Sequence, residues 1–347
     1  MKLLLTGDYF FDYEDCQNDF DRIKDRLEKY DYSIVNYEGS FKSETVKRKS
    51  VNLSMSVESL NYKNKNVIFC LANNHVFDYD KKGLFKTVEL MRSLGFSSFG
   101  LESKTNQFDN FIIIEKDNIK VCIAAFGWLN EECVPSTSHM TGNVNLTKGN
   151  VERLFQSLEE VEYDELIIYS HYGYEYEYYP LPLHLGLFRY MIDLGASLVY
   201  SSHSHIVQPY EIYKGKYIFY GLGNFYFGSR RNLYPESSDR GLVLEVEISN
   251  EMIVVHPKYV KYDRKALSSF FESKCNYFND NLLKESSLDN YSDNYKLFRS
   301  RKKNPRPILY WESAIGNILK YKAWKLAVDI TGFLKIRQFV KKILGWG

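Results

Sequence analysis

Apolar residues along this chain fall into short unbroken runs separated by helical stripes. Leu3–Thr6, Val67–Ala72, Leu166–Tyr169 and Leu198–Tyr200 are largely apolar runs of the length expected of buried strands, and Ser33–Asn36 and Phe96–Phe99 are read as two more strands. Between them, Phe20, Ile23, Leu27 and Tyr30 recur at helical spacing, as do Leu84, Val88 and Met91, with Gly95 placed as a C-cap. Val151, Leu154, Phe155, Leu158 and Val161 predict a third helix, and Leu187, Tyr190, Met191 and Leu194 a fourth. Asp117-Asn118 predicts a hairpin joining Phe111–Glu115 to Ile119–Phe126. Two further hairpins are expected, Ile206–Tyr213 with Tyr217–Tyr220 and Leu242–Ile248 with Met252–Tyr259. Residues 42–66, rich in Lys, Ser and Asn, read as a surface excursion. Strands alternating with helices predict a layered α/β fold, and the hairpins call for a mixed sheet or a two-sheet sandwich flanked by helices. One domain is expected over residues 1–262. A helical, polar connector with a basic linker follows over 263–306, then a basic amphipathic helix over 307–347.

Polar donors stand at the ends of these runs. Four of the seven histidines lie in Ala72-Asn73-Asn74-His75, Ser170-His171-Tyr172-Gly173 and Ser202-His203-Ser204-His205, preceded by carboxylates in Gly7-Asp8 and Asn36-Tyr37-Glu38. Asp, Glu, Asn and His are the oxygen and nitrogen donors that borderline divalent metals take, and no Cys/His zinc spacing competes. Ligand sites of open α/β sheets gather at the carboxyl ends of the strands, so these donors can converge. Two imidazoles two apart on an extended segment would face the same way, which makes His203 and His205 the sharpest local signal. A His beside a ligand but off the metal, such as His75, can protonate a leaving group. Each residue alone has an ordinary reading: Asn as a helix cap, His171 as a satisfied core side chain, Asp8 as a turn cap, Glu38 as an exposed carboxylate.

The set resembles the CapA family of capsule or poly-γ-glutamate synthesis proteins, a branch of the calcineurin-like metallophosphoesterase superfamily. The resemblance runs in order through Gly7-Asp8, Asn36-Tyr37-Glu38, Ala72-Asn73-Asn74-His75 with Asp78, His171-Tyr172-Gly173-x-Glu175 and Ser202-His203-Ser204-His205. It ends with Gln208-Pro209-x-Glu211 and Ile218-Phe219-Tyr220-Gly221-Leu222-Gly223-Asn224-Phe225. It implies a four-layer metallophosphoesterase-like sandwich of two mixed β-sheets flanked by helices, with a C-terminal helical extension added here. It also implies two divalent ions, drawn from manganese, zinc or iron. Asp8 and His205 would hold one, Asn74, His171 and His203 the other, with Glu38 between them and His75 as proton donor. Glu175, Asn73 and Asn224 would contact substrate, Asn224 from a tight turn at Gly223-Asn224-Phe225. The chain departs from the superfamily's Asp-x-His at its first motif, where Tyr9 and Phe10 follow Asp8, so one ion has a thinner shell.

Composition narrows the function. With 44% hydrophobic residues and a net charge of +1, the chain has a sizeable core and no overall bias toward nucleic acid. Five scattered cysteines fit free thiols in a reducing compartment, with Cys70 and Cys122 in buried runs. No signal peptide or membrane span is read, so a cytoplasmic protein is expected. Residues 300–347 carry eleven Lys and Arg against two acidic residues. Phe333, Ile336, Phe339, Val340, Ile343 and Leu344 share one helical face there, with Lys335, Lys341 and Lys342 opposite. That pattern suits peripheral contact with the inner face of an anionic membrane and equally a helix packed on the domain. Two functions stand. One is a metal-dependent hydrolase of phosphoester or amide bonds, serving synthesis of an anionic, peptide or polysaccharide surface polymer. The other is a non-catalytic metal-containing factor that binds such a polymer or a partner.

Overall fold

The computed structural model describes residues 1–13, 17–47, 49, 51–103, 109–137, 140–228 and 236–261. The connector and basic helix expected over 263–347 lie outside them. The described residues form two mixed sheets packed face to face. In the first, β13 (Ile253–Lys261), β12 (Arg240–Ile248), β1 (Lys2–Phe10), β2 (Tyr32–Tyr37), β3 (Val67–Cys70) and β4 (Ser98–Phe99) lie side by side in that order. In the second the order is β5 (Phe111–Lys116), β6 (Ile119–Gly127), β7 (Glu165–His171), β8 (Leu198–Ser202), β10 (Lys216–Phe219), β9 (Tyr210–Tyr213). The strands β1 to β4 run parallel, as do β6, β7, β8 and β10, while the hairpin partners at the edges are antiparallel.

Side-chain alternation explains why the central strands read as continuous apolar runs. Leu3 and Leu5 of β1, Ile68 of β3 and Ile167 and Tyr169 of β7 fill one core between the sheets. Their neighbours point the other way. Leu4 and Phe69 pack under α1 (Gln17–Leu27) and α2 (Asp80–Ser93), and Leu166 and Ile168 under α3 (Lys148–Ser157) and α4 (Pro182–Leu194). A strand covered on both faces needs apolar residues at every position. The result is the four-layer sandwich, helices outside and two sheets within. Cys70, Cys122 and Cys133 are buried free thiols. Among the described residues no helix is long and apolar enough to cross a membrane.

Three expectations need correcting. Residues 42–66 are not a surface excursion: Leu53, Met55, Leu60 and Tyr62 are buried in the core beneath α1 and α2. The high average polarity of the segment hides these apolar positions. The segment at Gly223-Asn224-Phe225 is not only a turn. Asn224–Phe227 is a strand, β11, that runs parallel to the second half of β1 (Asp8 with Asn224, Phe10 with Phe227) after β12 has paired the first half (Lys2 to Thr6). His203 and His205 do not lie on extended backbone; their φ angles are +86° and +55°.

Where β12 gives way to β11 the backbones crowd. A Cβ added at Gly7 would stand 1.9 Å from the carbonyl oxygen of Gly223, and one at Gly241 would stand 1.9 Å from that of Asn224. Asp8 donates its N–H to Gly223 O at 3.0 Å across the same junction. Replacing Gly7 with Ala forces backbone against backbone, and overpacking of this kind costs about 1–3 kcal/mol or more. Thermal denaturation of Gly7→Ala should show a clearly lowered Tm; an unchanged Tm contradicts the crowding.

Candidate metal centre

The site lies where the carboxyl ends of parallel strands from both sheets meet. Asp8 is on β1, Glu38 follows β2, Asn74 and His75 follow β3, His171 ends β7, and His203 and His205 follow β8. All are buried, Asp8, Glu38 and His203 completely. Two sets of donors lie close enough to share an ion, with atoms within 4.8 Å of one another: Asp8, Glu38 and His205, and Glu38, His171 and His203. Glu38 belongs to both. Its Oε1 faces the Nε2 atoms of His205 at 3.8 Å, His75 at 3.9 Å and His171 at 4.0 Å. These gaps exceed a hydrogen bond. The His205 and His171 gaps match ligand separations of about 3–4 Å around an ion with bonds near 2.1 Å.

Unsatisfied polar atoms argue the same way. Neither oxygen of Glu38 and neither ring nitrogen of His203 has a hydrogen-bond partner. A buried carboxylate without a partner is costly, and a cation between these groups removes that cost. The donor set therefore fits binding of divalent metal, with Glu38 common to both groups. Asn74 Oδ1 sits 2.8 Å from His171 Nε2 and is placed to join the second set.

The surroundings hold each donor in place. Asn36 Nδ2 donates to Asp8 Oδ1 at 2.8 Å, and the His203 N–H reaches both Asp8 oxygens at 3.2 and 3.1 Å. The left-handed turns at His203 and His205, rather than strand alternation, swing the two rings toward the centre. Tyr169 Oη lies 3.1 Å from His171 Nδ1, so Nε2 is left to face Glu38. Asn224 Oδ1 lies 2.9 Å from His205 Nδ1, while its Nδ2 donates to Ser238 O. The amide of Asn73 is engaged at both ends. It donates to Tyr37 O at 2.9 Å and Asn36 Oδ1 at 3.1 Å, and accepts from the His75 N–H at 3.1 Å. Asn224 thus orients His205 and Asn73 braces Asn36 and the His75 backbone, and neither presents a free amide to substrate as the resemblance implied. Glu175 is half-buried, and its charge is felt at Glu38, His75 and His205.

Electrostatics divide the site. Burial, reinforced by the Asp8 charge, pushes the Glu38 carboxyl well up. Burial would also raise Asp8, but His205 and His171 outweigh it and hold that carboxyl below the ordinary range. Burial would lower His205, yet Glu38 and Asp8 raise it to about 10. Burial and the neighbouring His203 push His171 well down.

Residues 2–229 match the family described as bacterial capsule synthesis protein PGA_cap. The chain belongs to this family. This PGA_cap-family chain is 25% identical over 221 residues to the capsule biosynthesis protein CapA of Bacillus anthracis, covering 60% of this chain and 53% of the relative. It is 27% identical over 205 residues to the PGA biosynthesis protein CapA of Bacillus subtilis strain 168, covering 56% and 50%. The chain therefore spans about half the length of these curated relatives. Its fold is similar to that of a hypothetical protein from Thermus thermophilus, with a TM-score of 0.49 and 15% identity, covering 76% of this chain and 100% of that one.

Beside the donor set this PGA_cap-family chain carries an ion-paired array in which Lys49 has no sequence signal. His75 Nδ1 is 2.6 Å from Asp78 Oδ2, and Lys49 Nζ donates to Asp78 Oδ1 at 2.8 Å and to Asn74 O at 2.7 Å. Leu53 N–H also donates to Asp78 Oδ2 at 2.8 Å. Lys49 is one lysine among several in the segment 42–66, and only the fold brings it under the site. Glu131, on the loop after β6, is equally unmarked in sequence; its Oε2 stands 3.8 Å from His203 Nε2. Asn36 could have been found, because it stands two residues before Glu38 at the end of a strand. Burial would raise the Asp78 carboxyl, but His75 and Lys49 more than reverse this and hold it low. A carboxyl with a depressed folded pKa adds stability above its unfolded value, near ~4, that is lost as pH falls through the folded value. Lys49→Met should therefore cost about 3 kcal/mol at neutral pH, the scale of a broken buried pair. The deficit should shrink as pH drops below ~4. Urea unfolding from pH 3 to 8 measures this, and a deficit independent of pH contradicts it.

Proposed function

We propose that this protein is a metal-dependent hydrolase of the metallophosphoesterase type, acting in synthesis of a capsule or another surface polymer. The observation that carries this reading is the Glu38 carboxylate, shared by two donor sets with the His75–Asp78 pair beside it. Asp8, Glu38 and His205 would hold one divalent ion and Glu38, Asn74, His171 and His203 the other. When bound, such ions activate a water at neutral pH and neutralise charge developing on the scissile group. Family membership and the CapA relatives support a role in capsule or poly-γ-glutamate synthesis, and the substrate we propose is a phosphoester or amide bond of an anionic polymer.

The protein's own groups supply the rest. His75 is tied through Nδ1 to Asp78 and turns Nε2 toward Glu38, the position from which a proton reaches a leaving group. Burial lowers its pKa while Asp78 pulls the other way. A factor that only binds polymer needs no imidazole tethered in this way, which favours turnover over the binding reading. His75→Ala should lose about 10²–10⁴-fold in turnover on a panel of phosphoester and amide substrates. Elemental analysis should find the metal content of the variant equal to that of the parent. Undiminished turnover would remove His75 from the mechanism, and a metal-loaded parent inert on both substrate classes would leave the binding reading.

A further inference from the structure

Lys49 comes from the polar segment 42–66, yet its side chain is only 7% exposed. Its ammonium makes two hydrogen bonds beside the site, to Asn74 O at 2.7 Å and to Asp78 Oδ1 at 2.8 Å. The first holds the peptide that joins Asn74 to His75. The second holds the carboxylate whose other oxygen meets His75 Nδ1 at 2.6 Å. One buried cation thus braces His75 at its backbone and at its ring. Leu53 N–H donates to the same Asp78 Oδ2. A carboxylate engaged by an ammonium and a backbone N–H acts only as an acceptor, so the proton in the short contact belongs to His75 Nδ1. Nε2, 3.9 Å from Glu38 Oε1, is then the nitrogen left to pass a proton. Lys49 also approaches Glu132 at 3.4 Å, but Glu132 is 64% exposed, and exposed pairs hold little. Burying an ion pair often adds no net stability over apolar packing, so its presence here points to what it positions.

We propose that Lys49 is a positioning residue for His75, fixing the tautomer and the direction of its imidazole. This rests on the proposed function, in which His75 is the proton donor, and deepens it by extending the His75–Asp78 pair to Lys49. Lys49 acts through Asp78 and through the Asn74–His75 peptide, and it touches no metal-donor atom.

Turnover kinetics of the full-length protein on phosphoester and amide substrates, well below its Tm, test the assignment together with ¹⁵N NMR of histidine-labelled samples at fixed pH. Lys49→Met should lower kcat about 10–100-fold, with KM changed less than about twofold and metal content equal to that of the parent. In a His75→Ala background the same substitution should lower kcat no further, because its effect passes through the ring. The His75 signals, assigned by their loss in His75→Ala, should show a protonated Nδ1 in the parent and a mixture of tautomers in Lys49→Met. Lys49→Gln, which also removes the charge, should behave in the same way and serves if Lys49→Met fails to fold. Glu132→Gln should match the parent. Parent-like kcat in the Lys49 variants overturns the assignment, as do nitrogen shifts equal to those of the parent. Equal fold losses in the two backgrounds also overturn it, because they mark a general structural effect, and so does loss of metal. A loss in Glu132→Gln as large as in Lys49→Met marks a through-space charge effect and overturns it too. A parent inert on every substrate removes the hydrolase reading, and the nitrogen shifts then decide the Lys49 assignment alone.

Discussion

The carboxylate of Glu38 sits at the join of the two sheets, fully buried, with both oxygens free of hydrogen bonds and three imidazoles about 4 Å away. A lone buried carboxylate costs several kcal/mol, so it is retained only where something repays that cost. The neighbouring donors are held by a scaffold that is itself fully bonded. Asn36 fixes Asp8, Asn73 fixes Asn36 and the turn before His75, Tyr169 fixes His171, and Asn224 fixes His205. Left-handed backbone at His203 and His205 adds strain of about 1–3 kcal/mol each, a cost that structures tolerate where a site demands it. The scaffold thus holds the donors in a fixed arrangement around Glu38.

The sandwich is what makes such a convergence possible. Parallel strands from two sheets end at one edge, so six donors spread over two hundred residues arrive together without a dedicated loop for each. The handover from β12 to β11 along β1 opens the edge beside Asp8 and brings Asn224 against His205. That handover requires close backbone approach, which is why glycines flank Asp8 and Asn224.

Much of this was legible in the sequence because it follows from periodicity and donor chemistry. Strands covered on both faces give continuous apolar runs, and donors placed directly after such runs point to a strand-end site. Asp8, Glu38, Asn74, His75, His171, His203 and His205 were all readable on that basis, and the structure brings them together. What was not legible depends on tertiary contact. Lys49 and Glu131 are single charged residues in polar loops, and nothing local marks either as facing the centre. The pairing of β11 with β1 is non-local, so Gly223-Asn224-Phe225 carried only its turn signal. The convergence of His203 and His205 was anticipated for the wrong reason. Alternation on an extended segment would align two rings, whereas here two left-handed residues turn them inward. Asn73 and Asn224 carry the right chemistry for substrate contact, but their hydrogen bonds are already committed to the scaffold.

Family membership fixes the relatives and the fold agrees with it, while the chemistry rests on whether Glu38 lies between two cations. Diffraction from crystals of the full-length protein soaked in Mn²⁺, recorded for anomalous scattering, addresses that directly. Two anomalous peaks flanking Glu38, one toward Asp8 and His205 and the other toward His171 and His203, are the result this account predicts. An anomalous map with no peak at Glu38, and its carboxylate paired instead with protein groups, would contradict it.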